Sequence, residues 1–275
     1  YVFSREGSIW SQSAYLKASN AERADSLGTA VAISDDGNTL VASALDEDGE
    51  MTGVNTTPVD DRLNDTSAGA VYVFVRDGDG NWFQQAYLKA SNTGKDDWFG
   101  SRLALSGDGN TIALGTQLED SAAQGINGDQ HDDSAQEAGT VYFFTRSGST
   151  WTQQAYIKGS NTAAYDEFGS SISLNKDGTL LAVGALGEDS AATGINGSQD
   201  DESALEAGAV LGILSVLNRR YAVCVPEGKW GVVIQSIGSG THHVEKLLYN
   251  SRLQIGSEIC SPSETSICCS SSESV

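Results

Sequence analysis

The chain has 275 residues, and its 37 acidic and 16 basic side chains give a formal net charge of -21. Binding to nucleic acid requires clustered Lys and Arg, so this balance excludes a nucleic-acid-binding protein. The sequence also lacks an apolar run of roughly 20 residues, the length that spans a bilayer, so we expect no membrane insertion.

The first residues, Tyr1-Val2-Phe3, have the β-branched and aromatic character of a strand interior. No basic segment followed by an apolar one precedes them, so we expect that the natural N-terminus lies upstream. The excess of negative charge is confined to residues 1–209, whereas residues 210–275 contain no Asp and hold all four cysteines. The composition therefore changes near Val210.

An internal repeat is evident from a segment that occurs three times, about 70 residues apart. Its copies begin at Trp10, Trp82 and Trp151 and share the pattern W-x-Q-x-A-Y-L/I-K, followed by a Ser-Asn pair. Each period contains four strand-like segments, which in the middle copy are 71–75, 82–90, 99–105 and 111–115. Tight turns rich in Gly and Asp separate them, as at 77–80 and 107–110. The sequence therefore predicts four-stranded antiparallel sheets.

A long acidic connection closes the second and third periods, at Glu119–Gly139 and Glu188–Gly208. These segments are rich in Asp, Ser, Gly and Asn, so we expect them to lie on the surface. A connection of about 20 residues is longer than most, and such connections are often functional or mobile.

Motifs at fixed places in each period resemble the FG-GAP repeat family, whose best-known members form the propeller of integrin α subunits. The FG element is present as Phe99-Gly100 and Phe168-Gly169, and the GA of the second element as Gly184-Ala185. The strands that begin at Trp82 and Trp151 are similar to those of a longer, bacterial-type variant of the repeat. The resemblance implies an all-β fold of propeller blades.

The resemblance also predicts the domain organisation. We expect an N-terminally truncated blade at 1–70, further blades at 71–140 and 141–209, and a non-repeat tail at 210–275. Propellers usually close with four to eight blades, so three blades predict an incomplete propeller. The Trp side chains of the repeat could stack on sugars, but their recurrence in each copy favours a role in the blade core.

Calcium is the one cofactor that the acidic loops suggest. Integrin-type repeats often carry an Asp-rich calcium loop between the FG and GAP elements, but here that position holds turns too short for six to eight oxygen ligands. The ion could instead bind in the third long loop, where five carboxylates gather: Glu188, Asp189, Asp200, Asp201 and Glu202. Ordinary surface acidity remains the alternative interpretation.

We expect a non-catalytic role, because the repeats carry neither a cysteine nor a G-x-S-x-G or H-E-x-x-H motif, and His131 occurs in one copy alone. The favoured hypothesis is an extracellular or cell-surface scaffold that binds a protein or glycan through its loops. Two alternatives remain: the propeller portion of a larger secreted hydrolase, and a purely structural repeat of a large surface protein. A repeated fold alone does not distinguish them.

The tail departs from the repeat after Val210. Read one nucleotide downstream, codons for Tyr221–Lys229 could encode a segment that matches nearly all of Ser11–Ser19. We therefore interpret residues from about 211 onward as a frameshifted fourth repeat and expect disorder, so that its cysteines and the His242-His243 pair need no disulfide or metal site. A genuine small C-terminal domain is the alternative.

Overall fold

The structure is a computed structural model that describes residues 1–56 and 66–214 and, beyond them, the backbone of strands at 219–224, 231–238, 241–248 and 257–259. The chain divides into two compact units, Tyr1–Ser215 and Val216–Val275. The described residues form strands and irregular segments but no helix, which confirms the all-β prediction. No helix of the described part has the length and apolar character needed to cross a bilayer.

The first unit contains thirteen strands in the described residues, and each pairs antiparallel with its neighbour in the chain within a sheet. They are β1 (Val2–Glu6), β2 (Ile9–Ala14), β3 (Leu27–Ile33), β4 (Thr39–Ala44), β5 (Ala70–Arg76), β6 (Trp82–Leu88), β7 (Arg102–Leu105), β8 (Thr111–Thr116), β9 (Thr140–Ser147), β10 (Thr150–Ile157), β11 (Phe168–Leu174), β12 (Leu180–Ala185) and β13 (Ala209–Leu214).

These strands form four sheets in chain order: the hairpin β1–β2, the four-stranded sheets β3–β6 and β7–β10, and the three-stranded sheet β11–β13. Among the first strands of the sheets, β3 contacts β7 and β7 contacts β11, as the inner strands of neighbouring propeller blades do. The structure therefore confirms incomplete propeller blades.

The sheets are offset from the repeat boundaries predicted from the sequence. Blades at 71–140 and 141–209 would begin with the V-Y-x-F strand, whereas each observed sheet begins with the FG strand and ends with the W-x-Q strand. A repeating sequence does not show which of its strands is the first of a sheet. That choice depends on the hydrogen bonds between strands, which only the structure shows. The blades of the structure are 27–88 and 102–157, and a partial one begins at 168.

The tail also differs from the predicted disorder where the structure describes it. Strand β13 continues the repeat beyond Val210, since Val183 pairs with Leu211 as Leu114 pairs with Tyr142. In the second unit the strands β14 (Arg219–Cys224), β15 (Gly231–Gly238), β16 (Thr241–Leu248) and β17 (Ser257–Ile259) form one antiparallel sheet. The β-branched residues Val232, Val233 and Ile234 favour a strand whether or not the segment belongs to the repeat. The Ser-rich end and Cys260, Cys268 and Cys269 lie outside the described residues, and the frameshift stays a prediction.

The tight turns predicted at 34–38 and 106–110 are present and lie beside each other. Asp35 N donates to Gly107 O at 2.9 Å, and the Lys176 Nζ of the third copy lies 2.7 Å from Asp35 Oδ2. Within the first turn, hydrogen bonds from the Ser34 hydroxyl and from Asn38 N lower the pKa of Asp36. These turns occupy the end of the sheets opposite the long loops.

Candidate functional site

The long connections share one end of the sheets, which we call the long-loop face. It comprises the described residues between the second and third strand of each sheet, at 45–56 and 66–69, 117–139 and 186–208. Because successive strands are antiparallel, the connections from one sheet to the next, such as 89–101, leave at this same end. Loops of all three sheets therefore converge on one surface, as loops do at binding sites on rigid scaffolds.

A buried ionic network anchors the base of the second long loop. The Glu119 side chain is 2% exposed; its Oε2 lies 2.9 Å from the fully buried Nζ of Lys158. Its Oε1 accepts hydrogen bonds from the Tyr156 hydroxyl and from Asn92 Nδ2, both at 2.8 Å. The hydroxyl of Tyr142 in turn donates to Asn92 Oδ1 at 2.5 Å. Asn92 lies in the connection that follows β6, the outer strand of the preceding sheet, so the network joins the second sheet, its long loop and the connection from the sheet before it.

The first copy repeats this network residue for residue. Glu47 lies 2.8 Å from Lys89 Nζ and accepts hydrogen bonds from the Tyr87 hydroxyl at 2.6 Å and from Asn20 Nδ2 at 3.2 Å. The Tyr72 hydroxyl donates to Asn20 Oδ1 at 2.8 Å. Burial of a charged pair is costly unless its remaining hydrogen-bonding groups are satisfied, which the Tyr and Asn side chains do here.

The third copy carries the acceptor half of the network in the described residues. The buried Glu188 accepts hydrogen bonds from Asn161 Nδ2 at 2.9 Å and from the Ser190 hydroxyl at 3.1 Å. The next residue, Asp189, accepts a hydrogen bond from Glu206 N at 2.7 Å and so joins the beginning of the long loop to its end.

In the first two copies a Gly-x-Asn segment holds the long loop along the outer strand of its own sheet. In the second copy Gly125 O accepts from Lys158 N at 2.8 Å, and Asn127 Oδ1 accepts from Tyr156 N at 3.0 Å. Ile126 forms an isolated β-bridge with Ile157 between these two hydrogen bonds. The first copy does the same with Val54 and Leu88. The loops are therefore ordered straps that reach the sheet edge.

Two carboxyl groups with raised pKa values, Asp97 and Asp166, begin the D-x-F-G motif in the second and third copies. Burial, followed by the nearby charge of Glu119, raises the pKa of Asp97 to about 7. In the third copy burial, with Glu202 and Glu188 nearby, raises the pKa of Asp166 to about 6. Each group accepts a backbone hydrogen bond three residues upstream, Asp97 from Gly94 N at 2.8 Å and Asp166 from Ala163 N at 2.7 Å.

The tips of the loops are acidic and exposed. Residues 117–139 and 186–208 contain no Lys or Arg. Seven of their carboxylates and one histidine are exposed or nearly so: Asp129, His131, Asp132, Asp133, Asp200, Asp201, Glu202 and Glu206. The face can attract cations or basic surfaces, but its solvated carboxylates do not converge on a point.

A sequence model described as FG-GAP repeat matches residues 10–74, 82–144 and 151–204. These matches cover most of the chain and all three copies of the network. The chain belongs to the FG-GAP repeat family. No curated protein and no solved structure has a significant match to it.

The FG-GAP motif residues predicted from the sequence belong to the sheets and their core and not to the exposed tips of the long loops. Phe99, Phe168 and Trp151 are buried in the core, as a packing role predicts, whereas Trp10 of the first copy is 64% exposed. Trp82 is partly buried against the core of its own sheet. Gly184-Ala185 ends strand β12.

The glycine of the FG element is required by the backbone. Gly100 and Gly169 have φ angles of +85° and +95°. A Cβ on Gly169 would lie 2.6 Å from the backbone oxygen of Thr140, and one on Gly100 would collide with the Val71 side chain. Glycine is the residue that tolerates such a conformation and such a close approach.

The five carboxylates predicted to bind calcium are not brought together. Glu188 lies buried in its network, Asp189 closes the loop, and Asp201 accepts a hydrogen bond from Ser203 N at 3.1 Å. Asp200 and Glu202 are exposed. Across 1–56 and 66–214 no three His, Cys, Asp or Glu side chains are grouped so that they could hold a metal ion.

Sequence reasoning missed the role of the polar residues of the FG-GAP repeat. Gln84 Nε2 donates to Ser19 Oγ at 3.1 Å, and Gln153 Nε2 to Ser91 Oγ at 2.8 Å, so the Gln of W-x-Q links an outer strand to the connection that leaves the preceding sheet. The recurring Glu-Asp pair after the GA strand, as at Glu119-Asp120, was the signal that could have located the network.

Proposed function

We propose that the chain is a non-catalytic binding module of an extracellular or cell-surface protein, and that the long-loop face binds its protein or glycan ligand. The observation that carries the proposal is the combination of a rigid base with exposed tips. Glu119 and Lys158 fix where the second loop begins, and the Gly125–Asn127 segment fixes its course, while its carboxylates stay in solvent.

The charge of the face favours a basic ligand surface. Loops that carry several carboxylates and no basic residue set up a negative potential, which speeds the approach of a positively charged partner and rejects a negative one. Such attraction is weakened by salt, because the carboxylates are exposed and charges beyond about 8 Å are screened at physiological ionic strength.

Charge-neutral substitutions at the loop tip test the proposal. The triple variant Asp129→Asn, Asp132→Asn and Asp133→Asn removes three charges and keeps each amide oxygen as a hydrogen-bond acceptor. The matched control changes three exposed carboxylates away from the face, Glu6 to Gln and Asp79 and Asp177 to Asn.

Binding is measured against a glycan array and a panel of immobilised extracellular-matrix proteins at low and physiological salt. We expect the loop variant to lose binding to a ligand that the control variant still binds. Binding that is absent, or that both variants lose equally, would contradict a role for this face and favour a purely structural repeat.

The extracellular location needs a test of its own, because the geometry of the long-loop face would be the same in any compartment. Intact cells of the source organism are treated with protease, and the chain is followed with an antibody. We expect the protein to be digested while a cytosolic marker survives, and survival of both would contradict the proposed location.

A further inference from the structure

Two exposed aromatic residues on the long-loop face do not belong to the repeat pattern. Trp98 is 37% and Tyr165 is 54% exposed, whereas Phe99 in the same segment is buried. Trp98 is the variable residue of its D-x-F-G motif, and Tyr165 precedes the Asp of the next one. Recurrence accounts for aromatic residues in the blade core, but an aromatic side chain that occurs in one copy and faces solvent requires another reason.

Both residues lie in seams, the places where the segment before an FG element runs along the end of the preceding long loop. In one seam Phe99 N donates to Ala68 O at 3.0 Å. In the other, Tyr165 N donates to Gln136 O at 2.7 Å, and the Tyr165 hydroxyl donates to Gln136 Oε1 at 2.8 Å. The seams are therefore rigid, and the ring of Tyr165 is held in place, as a preorganised binding site requires.

The fold does not require an aromatic residue at either place. Trp98 and Tyr165 have φ angles of +59° and +69°, in the left-handed region that bulky side chains rarely adopt. The corresponding residues of the first copy, Ser26 and Ala24, have φ angles of +58° and +76° and carry no ring. The backbone conformation is common to the copies, whereas the large side chains are additions at strained positions. Such strain is typical of ligand-binding sites.

Each of the two seams also carries a carboxylate two residues from its aromatic side chain. Asp96, whose side chain is 65% exposed, precedes Trp98, and the partly exposed Glu167 follows Tyr165. The exposed Lys95 ammonium lies 4.0 Å from Asp96, so a cation already reaches this carboxylate. An aromatic face beside a carboxylate suits a ligand that combines an apolar ring face with amino or hydroxyl groups.

The seams favour a glycan over a peptide, because their backbone N–H groups are already bonded. Peptides bind rigid scaffolds chiefly by adding a strand or by entering an apolar groove. Five N–H groups of the seams donate to the preceding long loop: those of Asp96, Phe99, Tyr165, Glu167 and Phe168. A glycan needs only the side chains, because its rings stack on aromatic faces and its polar groups donate to carboxylates.

The charge of the face selects among glycans. The long loops at 117–139 and 186–208 contain no Lys or Arg, so the face repels sulfated or carboxylated sugars and attracts sugars with free amino groups. A chain of repeated sugar units also matches a scaffold that repeats from one seam to the next.

We propose that the long-loop face binds a glycan rich in amino sugars, with one sugar ring on Trp98 and another on Tyr165. Asp96 and Glu167 accept hydrogen bonds from the amino or hydroxyl groups of these sugars. The inference rests on the proposed function, because it names the ligand class of the same face. Two contacts on one rigid surface give an oligosaccharide a higher affinity than a single sugar.

Isothermal titration calorimetry of the full chain with a glucosamine oligosaccharide tests the inference at mildly acidic pH and low salt. The comparison ligands are the N-acetylated form of the same oligosaccharide, heparin and an oligoarginine peptide. We expect the glucosamine oligosaccharide to bind, and its N-acetylated form to bind about tenfold more weakly because it lacks ammonium groups. Heparin should not bind, because the acidic loops repel its sulfates.

Substitution of the two rings shows whether the seams carry this binding. Trp98→Ala and Tyr165→Ala should each weaken binding of the glucosamine oligosaccharide about tenfold, because each removes one stacking surface. Trp98→Tyr keeps an aromatic ring and should retain most of the affinity. Phe83→Ala is the control, because Phe83 is 50% exposed on β6, outside the seams, and its loss should leave binding unchanged. Thermal unfolding verifies that each variant is folded.

The inference is overturned if the glucosamine oligosaccharide does not bind, or if both alanine variants bind it as tightly as Phe83→Ala does. Tighter binding of oligoarginine overturns it in favour of a basic protein segment. The proposed function survives either result if the triple variant at Asp129, Asp132 and Asp133 loses another ligand that Trp98→Ala and Tyr165→Ala still bind. Absence of binding to every ligand contradicts both.

Discussion

Removing the buried ammonium of Lys158 should destabilise the blades far more than removing an exposed one. The substitution Lys158→Met keeps the aliphatic stem but leaves the Glu119 carboxylate, 2% exposed, without its counter-charge. Loss of one partner of a buried pair costs about 3–5 kcal/mol of unfolding free energy. The hydrogen bonds from Tyr156 and Asn92 remain and place our expectation at the lower end, about 3 kcal/mol.

Removing both charges should restore most of the lost stability. Burial lowers the pKa of Lys158 even though Glu119 opposes the shift, so desolvation outweighs the attraction between the two charges. The double variant Lys158→Met, Glu119→Gln keeps an amide oxygen for Tyr156 and Asn92 but buries no charge. We expect its stability to lie within about 1 kcal/mol of the unchanged chain.

Urea unfolding followed by tryptophan fluorescence measures these differences, with the exposed substitution Lys95→Met as control. Lys95 lies 4.0 Å from Asp96 and both side chains are about two-thirds exposed, so its loss should change the free energy by less than about 1 kcal/mol. The reasoning is refuted if Lys158→Met costs no more than Lys95→Met, or if the double variant is as unstable as the single one.

Three further predictions concern the turn, the D-x-F-G carboxyl and the strap. Gly169→Ala should cost more than about 2 kcal/mol of unfolding free energy, because φ at this position is +95° and the added Cβ would lie close to Thr140 O. Gly78→Ala is the control and should be nearly neutral, because the space around Gly78 is free. Chemical denaturation measures both free energies. The raised pKa of Asp97 means that the folded protein binds a proton more tightly than the unfolded one, so this group lowers stability as pH rises from about 4 to 7. Asp97→Asn should therefore stabilise the protein at pH 8 and reduce the pH dependence of its melting temperature, unlike the exposed control Asp96→Asn. Asn127→Ala removes the acceptor for Tyr156 N and should speed proteolytic cleavage within 117–139, and unchanged cleavage would contradict the strap.

Much of the fold was predictable because the same strand and turn motifs recur about every 70 residues. Three copies of W-x-Q-x-A-Y-L/I-K and the Gly-Asp turns locate nearly every strand of the first unit, and the burial of Phe99 and Trp151 follows from their recurrence. Local propensity and turn chemistry decide these features, and both are carried by residues close in sequence.

The candidate site was less predictable, because its residues are distant in sequence. Clustering of Asp200, Asp201 and Glu202 in the sequence suggested a calcium site, but extended loop backbone spreads neighbouring side chains apart and the structure brings no such group together in the described residues. By contrast Glu119 meets Lys158 across 39 residues and Asn92 across 27, separations that no local pattern reports.

The amino-acid sequence alone determined the FG-GAP repeat, the strands, the tight turns and the acidic character of the loops. Only the tertiary structure decided which strands share a sheet, and hence that the blades begin at the FG strand and that β1–β2 and β11–β13 are incomplete sheets. The physical reason is that strand identity follows from side-chain alternation within one segment, whereas pairing and charge burial depend on contacts between segments.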